Sequence, residues 1–307
     1  MFRTRLLSGI LLVAIALATI MAGSGVLAVV LCLVSLTAYR ELTRACGVHT
    51  EGTRSEEQGA ASDMPERTGR RSVRFNAPEY VGMIMTILYY VLLFAALAYG
   101  EEIGEGLHEV YPVIMIAVVF TLLFFLFTYV FTFPRYRAPQ IMTAMFAYLY
   151  APVMLSFIYL TREGFENGNY LVWFIFLCSW GSDTCAYAVG VLIGRHKMTP
   201  KLSPKKSIEG AVGGVVGAAL LFVLYTHFAI NRYSATELPL LLVAVLGAAG
   251  ALVSMVGDLA ASAIKRDHGI KDYGKLIPGH GGIMDRFDSV IIAAPLIFIG
   301  LMILTYH

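Results

Sequence analysis

Residues 275–289 read KLIPGHGGIMDRFDS, and residues 290–307 continue as VIIAAPLIFIGLMILTYH. The second stretch contains no Asp, Glu, Lys or Arg and has the length and character of a helix crossing about 30 Å of hydrocarbon. The first sets a histidine, three glycines and two aspartates at the mouth of that helix. Side chains suited to binding a ligand therefore stand where a membrane span begins.

The apolar pattern recurs along the chain. Spans are expected near 6–22, 25–43, 79–99, 111–133, 141–161, 170–193, 208–230, 237–264 and 287–305. Hydrophobic residues make up 58% of the 307 and charged residues 14%, against about 25% charge in an ordinary soluble domain. The fold class that follows is an all-α polytopic membrane protein of about nine transmembrane helices, because backbone in hydrocarbon must bond within its own helix. At the N-terminus, RLLSGILLVAIALATIMAGSG has the basic, apolar and small-residue order of a signal peptide. Apolar character resumes at once beyond Gly25, so the reading preferred here is two retained spans hinged at Gly23–Gly25. Cys32, Cys178 and Cys185 lie in apolar segments and Cys46 just beyond one, without metal-like spacing; they read as small core residues rather than a disulfide framework.

The expected organisation is an N-terminal helical hairpin at 1–44, a polar insert at 45–78, a three-helix membrane region at 79–169 and a catalytic membrane region at 170–307. The insert is poor in aliphatics and mixed in charge, as mobile loops are. Of the 23 Lys and Arg residues, 19 fall in or beside the connections after spans two, four, six and eight. The positive-inside rule puts those connections in the cytoplasm and the N-terminus outside. GEEIGEGLHEVYP, residues 100–112, has four glutamates and no Lys or Arg, which suits the outer side.

Two connections on the expected cytoplasmic side carry unusual chemistry. In GRHKMTPKLSPKKSIEGAVGG, residues 194–214, Ser203, Pro204, Lys205, Lys206 and Ser207 read as the cap and first turn of span seven. Free backbone N–H groups beside two lysines would cradle phosphate, although lysines at that level also serve as simple membrane anchors. Gly210, Gly213, Gly214 and Gly217 then allow close helix packing. Span eight is long enough to project from the bilayer, and Asp258, Ser262 and Lys265 share one of its faces. An aspartate in LVSMVGDLAAS is costly in hydrocarbon unless paired, ligated or wet. Asp183, in CSWGSDTCAYAVG with Tyr187 one turn on, is of the same kind and serves as site support or as a structural partner for a lysine. Asp285 and Asp288 lie three apart at the start of span nine, with Arg286 between them. Carboxylates suit a hard cation such as Mg²⁺, one ion or two, completed by phosphate oxygens, whereas the bland alternative is helix capping. His280, Gly281 and Gly282 would bend the chain closely around a ligand, with His280 either donating to a phosphate or simply structural.

From residues alone, this is a membrane-embedded, Mg²⁺-dependent enzyme acting on a phosphorylated substrate. SAIKRDHGIKDYGKLIPGHGGIMDRFD, residues 262–288, resembles the signature of the phosphatidate cytidylyltransferase (CDP-diacylglycerol synthase) family, and SPKKSIEG, SDTCAY and VGDL resemble that family upstream. The likeness covers roughly residues 170–305, and the polar insert looks longer than the family usually carries. It implies transfer of a cytidylyl group from CTP to phosphatidic acid in the bilayer, forming CDP-diacylglycerol and pyrophosphate in phospholipid biosynthesis. The roles implied are metal binding by Asp258, Asp285 and Asp288, and catalysis by Asp258, Asp285, Lys265 and Arg266. Substrate phosphates fall to Lys205, Lys206, Ser207, Ser262, Lys271, His280, Gly281, Gly282 and Arg286. A homodimer is left open, and no nucleic-acid partner is expected. The alternatives are a CTP-dependent lipid kinase of the dolichol or phytol kinase kind, with a similar layout but a hydroxyl acceptor, and a transporter. A transporter would spread polar residues through the membrane midplane, which the basic residues here do not do.

Overall fold

The computed structural model describes residues 2–48, 76–103, 110–233, 237–277 and 281–305. The helices are α1 Phe2–Ala22, α2 Ser24–Ala45, α3 Ala77–Ile103, α4 Val110–Thr132 and α5 Ala138–Glu163, then α6 Gly168–Ile193, α7 Ile208–Ile230, α8 Leu240–Asp267 and α9 Met284–Thr305. The eight from α2 to α9 are long and apolar enough to cross a membrane; in α1 the apolar stretch Val13–Ala22 is shorter. Each expected span coincides with a helix, giving a polytopic all-α fold. Most of the polar insert and His280 lie outside the described residues.

Large apolar side chains point outward on α3 and α4, with Ile84, Met115 and Phe131 all exposed, as expected of a lipid-facing surface. The interior mixes apolar packing with paired hydroxyls. Ser35 Oγ lies 2.8 Å from Tyr90 Oη and Ser156 Oγ 2.7 Å from Tyr89 Oη, so these buried polar atoms satisfy one another across α2, α3 and α5. Helices α6, α7, α8 and α9 pack in sequence, and α9 also lies against α5.

Between α6 and α7 the backbones nearly touch. A Cβ on Gly210 would stand 2.8 Å from the Ala186 carbonyl oxygen and 3.3 Å from Gly190 Cα, so the glycines of α7 serve packing, as their spacing suggested. Three helices contain a wide π-turn: Leu149–Val153 in α5, Leu177–Gly181 in α6 and Thr226–Ile230 in α7. Pro152 explains the first, since it lacks an N–H and cannot continue the regular ladder. The second ends two residues before Asp183 and sets where the rest of α6 points.

One local expectation is corrected. Residues 203–207 do not begin α7; they form strand β2, Ser203–Ser207, antiparallel to β1, Lys197–Thr199. Pro204 holds the chain extended, and only Ser207 behaves as the cap, its hydroxyl accepting the Gly210 N–H at 3.1 Å.

Candidate active site

At the end of the bundle where α2, α6 and α8 finish and α7 and α9 begin, the structure encloses a cavity of about 700 Å³. Asp183 and Tyr187 reach it from α6, Lys205 and Lys206 from β2, and Asp258 and Lys265 from α8. The connection after α8 supplies Asp272, and α9 supplies Asp285, Arg286 and Asp288. The two connections expected to converge do so. Gly257 lets α8 approach α9 at the same level, for a Cβ there would lie 3.0 Å from the Asp288 carbonyl oxygen.

Two ion pairs cross this space. Lys206 Nζ meets Asp258 Oδ2 at 2.5 Å, tying the hairpin to α8. Lys265 Nζ meets Asp285 Oδ1 at 2.9 Å, tying α8 to α9, and its ammonium lies 5.3 Å from the Tyr273 ring centroid. The other oxygen of Asp285 accepts the Tyr273 N–H at 2.8 Å and the Gly282 N–H at 3.0 Å. The Tyr273 hydroxyl donates to the Ala261 carbonyl at 2.8 Å, and burial pushes this phenol well above its ordinary range, so it stays a neutral donor. Gly281 sits at φ +88°, the left-handed turn that brings Gly282 under Asp285.

The three aspartates of the expected metal set, Asp258, Asp285 and Asp288, line the cavity together and differ in how they are held. Both oxygens of Asp285 accept from protein donors, so this aspartate braces the loop while Oδ1, with Lys265 as its one partner, keeps a lone pair toward the cavity. Asp258 keeps Oδ1 uncommitted, Asp288 Oδ1 accepts the Ser289 N–H and leaves Oδ2, and Asp183 makes no hydrogen bond or ion pair among the described residues. These three carboxylates lie within electrostatic reach of one another. Among the described residues no three acid, histidine or cysteine side chains are grouped so that they could hold a metal ion by themselves. That donor set fits Mg²⁺, which takes one or two carboxylates and fills its shell with water and phosphate.

Not every expected site residue faces the cavity. Arg266 follows Lys265 by one helical residue, about 100° around the axis, and points to solvent. Ser262 is half-buried away from the cavity wall, and Gly281 and Gly282 shape the turn rather than line the space. Beyond the positive-φ Gly269 the chain swings out, so Lys271 lines a second cavity of about 640 Å³ with Arg44 and Lys275. Arg286 does face the main cavity, and its buried Nε finds no partner among the described residues.

Two residues that sequence reasoning passed over stand close by. Tyr150, on the π-turn of α5, is buried with its hydroxyl unpartnered among the described residues and within electrostatic reach of Asp288 and Asp258. Its only signal was the neighbouring Pro152. Glu41 of α2 is buried and accepts the Met284 N–H at 2.8 Å; an acid in LTAYRELTRAC was the available clue.

A sequence model described as the cytidylyltransferase family matches residues 66–304. The chain belongs to the cytidylyltransferase family. Among its curated relatives, the phosphatidate cytidylyltransferase of Haemophilus influenzae is 39% identical over 129 residues, 42% of this chain and 44% of that protein. The phosphatidate cytidylyltransferase of Synechocystis is 40% identical over 139 residues, 44% of each. That of Staphylococcus saprophyticus is 35% identical over 147 residues, 48% of this chain and 54% of the relative. The chain spans about half the length of the curated relatives it matches. The multi-pass membrane setting rests on the eight helices long and apolar enough to cross a bilayer.

Proposed function

We propose that this protein transfers the cytidylyl group of CTP to phosphatidic acid, forming CDP-diacylglycerol and releasing pyrophosphate. The observation that supports this reading best is the cavity at the end of the bundle, where a two-lysine strand, the buried Nε edge of Arg286 and three carboxylates with uncommitted oxygens face one space. Anionic phosphates match the cations, and the carboxylates suit the counter-ion that a triphosphate brings. The names of the relatives point the same way.

In this reaction a phosphate oxygen of the lipid attacks the α-phosphorus of CTP. The bond from that phosphorus to the β-bridging oxygen breaks, and pyrophosphate departs with the electron pair. The acceptor brings its own nucleophile, so the protein's task is alignment and charge neutralisation. Lys205 and Lys206 neutralise the triphosphate, and Arg286 orients a phosphate through its free Nε. Lys265, held by Asp285, adds positive charge on the opposite wall. Asp258 and Asp288 would hold Mg²⁺, with Asp183 as support, and the ion would supply Lewis-acid neutralisation of the developing pyrophosphate charge. Acyl chains stay in the bilayer beside the exposed Tyr187 and Val191 at the cavity's edge.

We place the cavity on the cytoplasmic side, where 19 of 23 basic residues gather. Purified protein given CTP, Mg²⁺ and phosphatidate vesicles should put α-label, not γ-label, into lipid. Lipid-borne γ-label would instead identify a kinase, and no labelled lipid would reject both. Single cysteines at Lys201 and Asn167, in an otherwise cysteine-free chain, should react with an impermeant reagent from inside and outside respectively.

A further inference from the structure

Helix α2 ends beside the site, although it lies outside the residues matched by the family. Its Glu41 is 9% exposed, and its carboxylate is enclosed by parts of the chain more than 230 residues away. Oε2 accepts the Met284 N–H at 2.8 Å, and the neighbouring Ile283 N–H lies within electrostatic reach of the carboxylate. These are free donors at the N-terminus of α9, where a negative charge meets the positive end of the helix dipole. A Cβ on either Gly274 or Gly282 would collide with the carboxylate, so the loop closes directly around it. Asp285 grips the same loop from the other side through the Tyr273 and Gly282 N–H groups.

We infer that Glu41 is a positioning residue for the site: it sets the register of residues 270–277 and 281–284 and of the α9 N-terminus, and through them the placement of Asp285, Arg286 and Asp288. The effect on catalysis rests on the function proposed above; the effect on the loop does not. A carboxylate that only braced the bundle would need no glycines shaped around it on a loop. Glu163 provides the contrast. At the far end of α2 its Oε1 accepts the Ser24 N–H at 2.5 Å, a comparable contact remote from the cavity.

The test compares wild type, Glu41→Ala, Glu41→Asp and Glu163→Gln as purified full-length proteins. Turnover is measured with CTP and phosphatidate vesicles, and amide exchange is followed in peptides covering 270–277 and 281–290. Glu41→Ala should lower kcat per folded molecule on the order of 10- to 100-fold, the scale of small misplacements in a reacting site, with a smaller change in KM for CTP. It should also speed exchange in both peptides on the order of 10-fold, while Glu163→Gln changes neither. Unchanged kcat with reduced thermal stability would make Glu41 a mere brace and overturn the inference, as would unchanged exchange in the two peptides. If Glu41→Ala does not fold, Glu41→Asp, whose carboxylate is withdrawn by one methylene, must show the same two changes; wild-type values there overturn the inference. A wild type without transferase activity takes down the proposed reaction alone, and exchange then decides positioning by itself.

Discussion

Two lysine–aspartate pairs face one cavity and are held very differently. In Lys206–Asp258 the side chains are 23% and 25% exposed, and one carboxylate oxygen remains free. In Lys265–Asp285 they are 12% and 3% exposed, with both oxygens of the aspartate engaged by protein donors. The Lys206–Asp258 pair is the less enclosed of the two, although Lys206 Nζ itself is buried, whereas a fully buried, fully bonded pair is the more costly to break from one side. On the proposed function, the less enclosed pair is the one that substrate or metal would displace, and the closed pair keeps the cavity wall in shape. The family resemblance had implied the same metal and catalytic roles for Asp258 and Asp285.

Replacing one aspartate of each pair should separate these roles most sharply. Asp285→Ala leaves Lys265 buried without its partner and frees two loop N–H groups, so it should cost about 3–5 kcal/mol of stability and abolish activity. Asp258→Asn should leave thermal unfolding close to wild type while lowering turnover at least about 100-fold, or 2.7 kcal/mol at the transition state. Thermal melts beside initial rates check both. Equal destabilisation by the two substitutions would erase the distinction between the pairs.

A smaller effect is expected from the cation of the less enclosed pair. Lys205→Gln with Lys206→Gln should raise KM for CTP, lower kcat, or both, by about 10-fold in kcat/KM, while insertion and abundance stay normal. Unchanged CTP kinetics would reduce these lysines to membrane anchors.

The smallest effects should come from basic residues outside the main cavity. Arg266→Gln and Lys271→Gln are each expected to change kcat/KM by less than about 3-fold, within the modest range of exposed charges. A loss as large as that of the double lysine variant would bring the second cavity, with Arg44 and Lys275, into the reaction.

What the sequence disclosed follows a physical pattern. Helix positions were legible because membrane spans announce themselves by length and apolar character, and Asp258 with Lys265 because a charged face on such a helix has few innocent explanations. The strand at 203–207 was hidden: serine followed by proline opens a helix as readily as it stays extended, and the pairing with 197–199 that decides between them is a tertiary fact. The commitment of both Asp285 oxygens depends on a turn at Gly281, twelve residues after Gly269 has redirected the chain. Glu41 was hardest to find, since its partner is 243 residues distant and its own surroundings read as ordinary membrane helix. Cooperation between α2 and α9 leaves no local trace.

The glycine seam between α6 and α7 also bears on selectivity. Where backbone meets backbone no rotamer remains to be exchanged, so the wall that carries Asp183 and the lysine strand behaves as a single stiff beam. Its spacing is a fixed gauge: a ligand too wide for it cannot be admitted by local side-chain adjustment there. On the proposed function, tolerance for differently shaped ligands resides on the opposite wall, in the loop gripped between Glu41 and Asp285, so substituting seam glycines should narrow the range of accepted substrates and altering that loop should reset it.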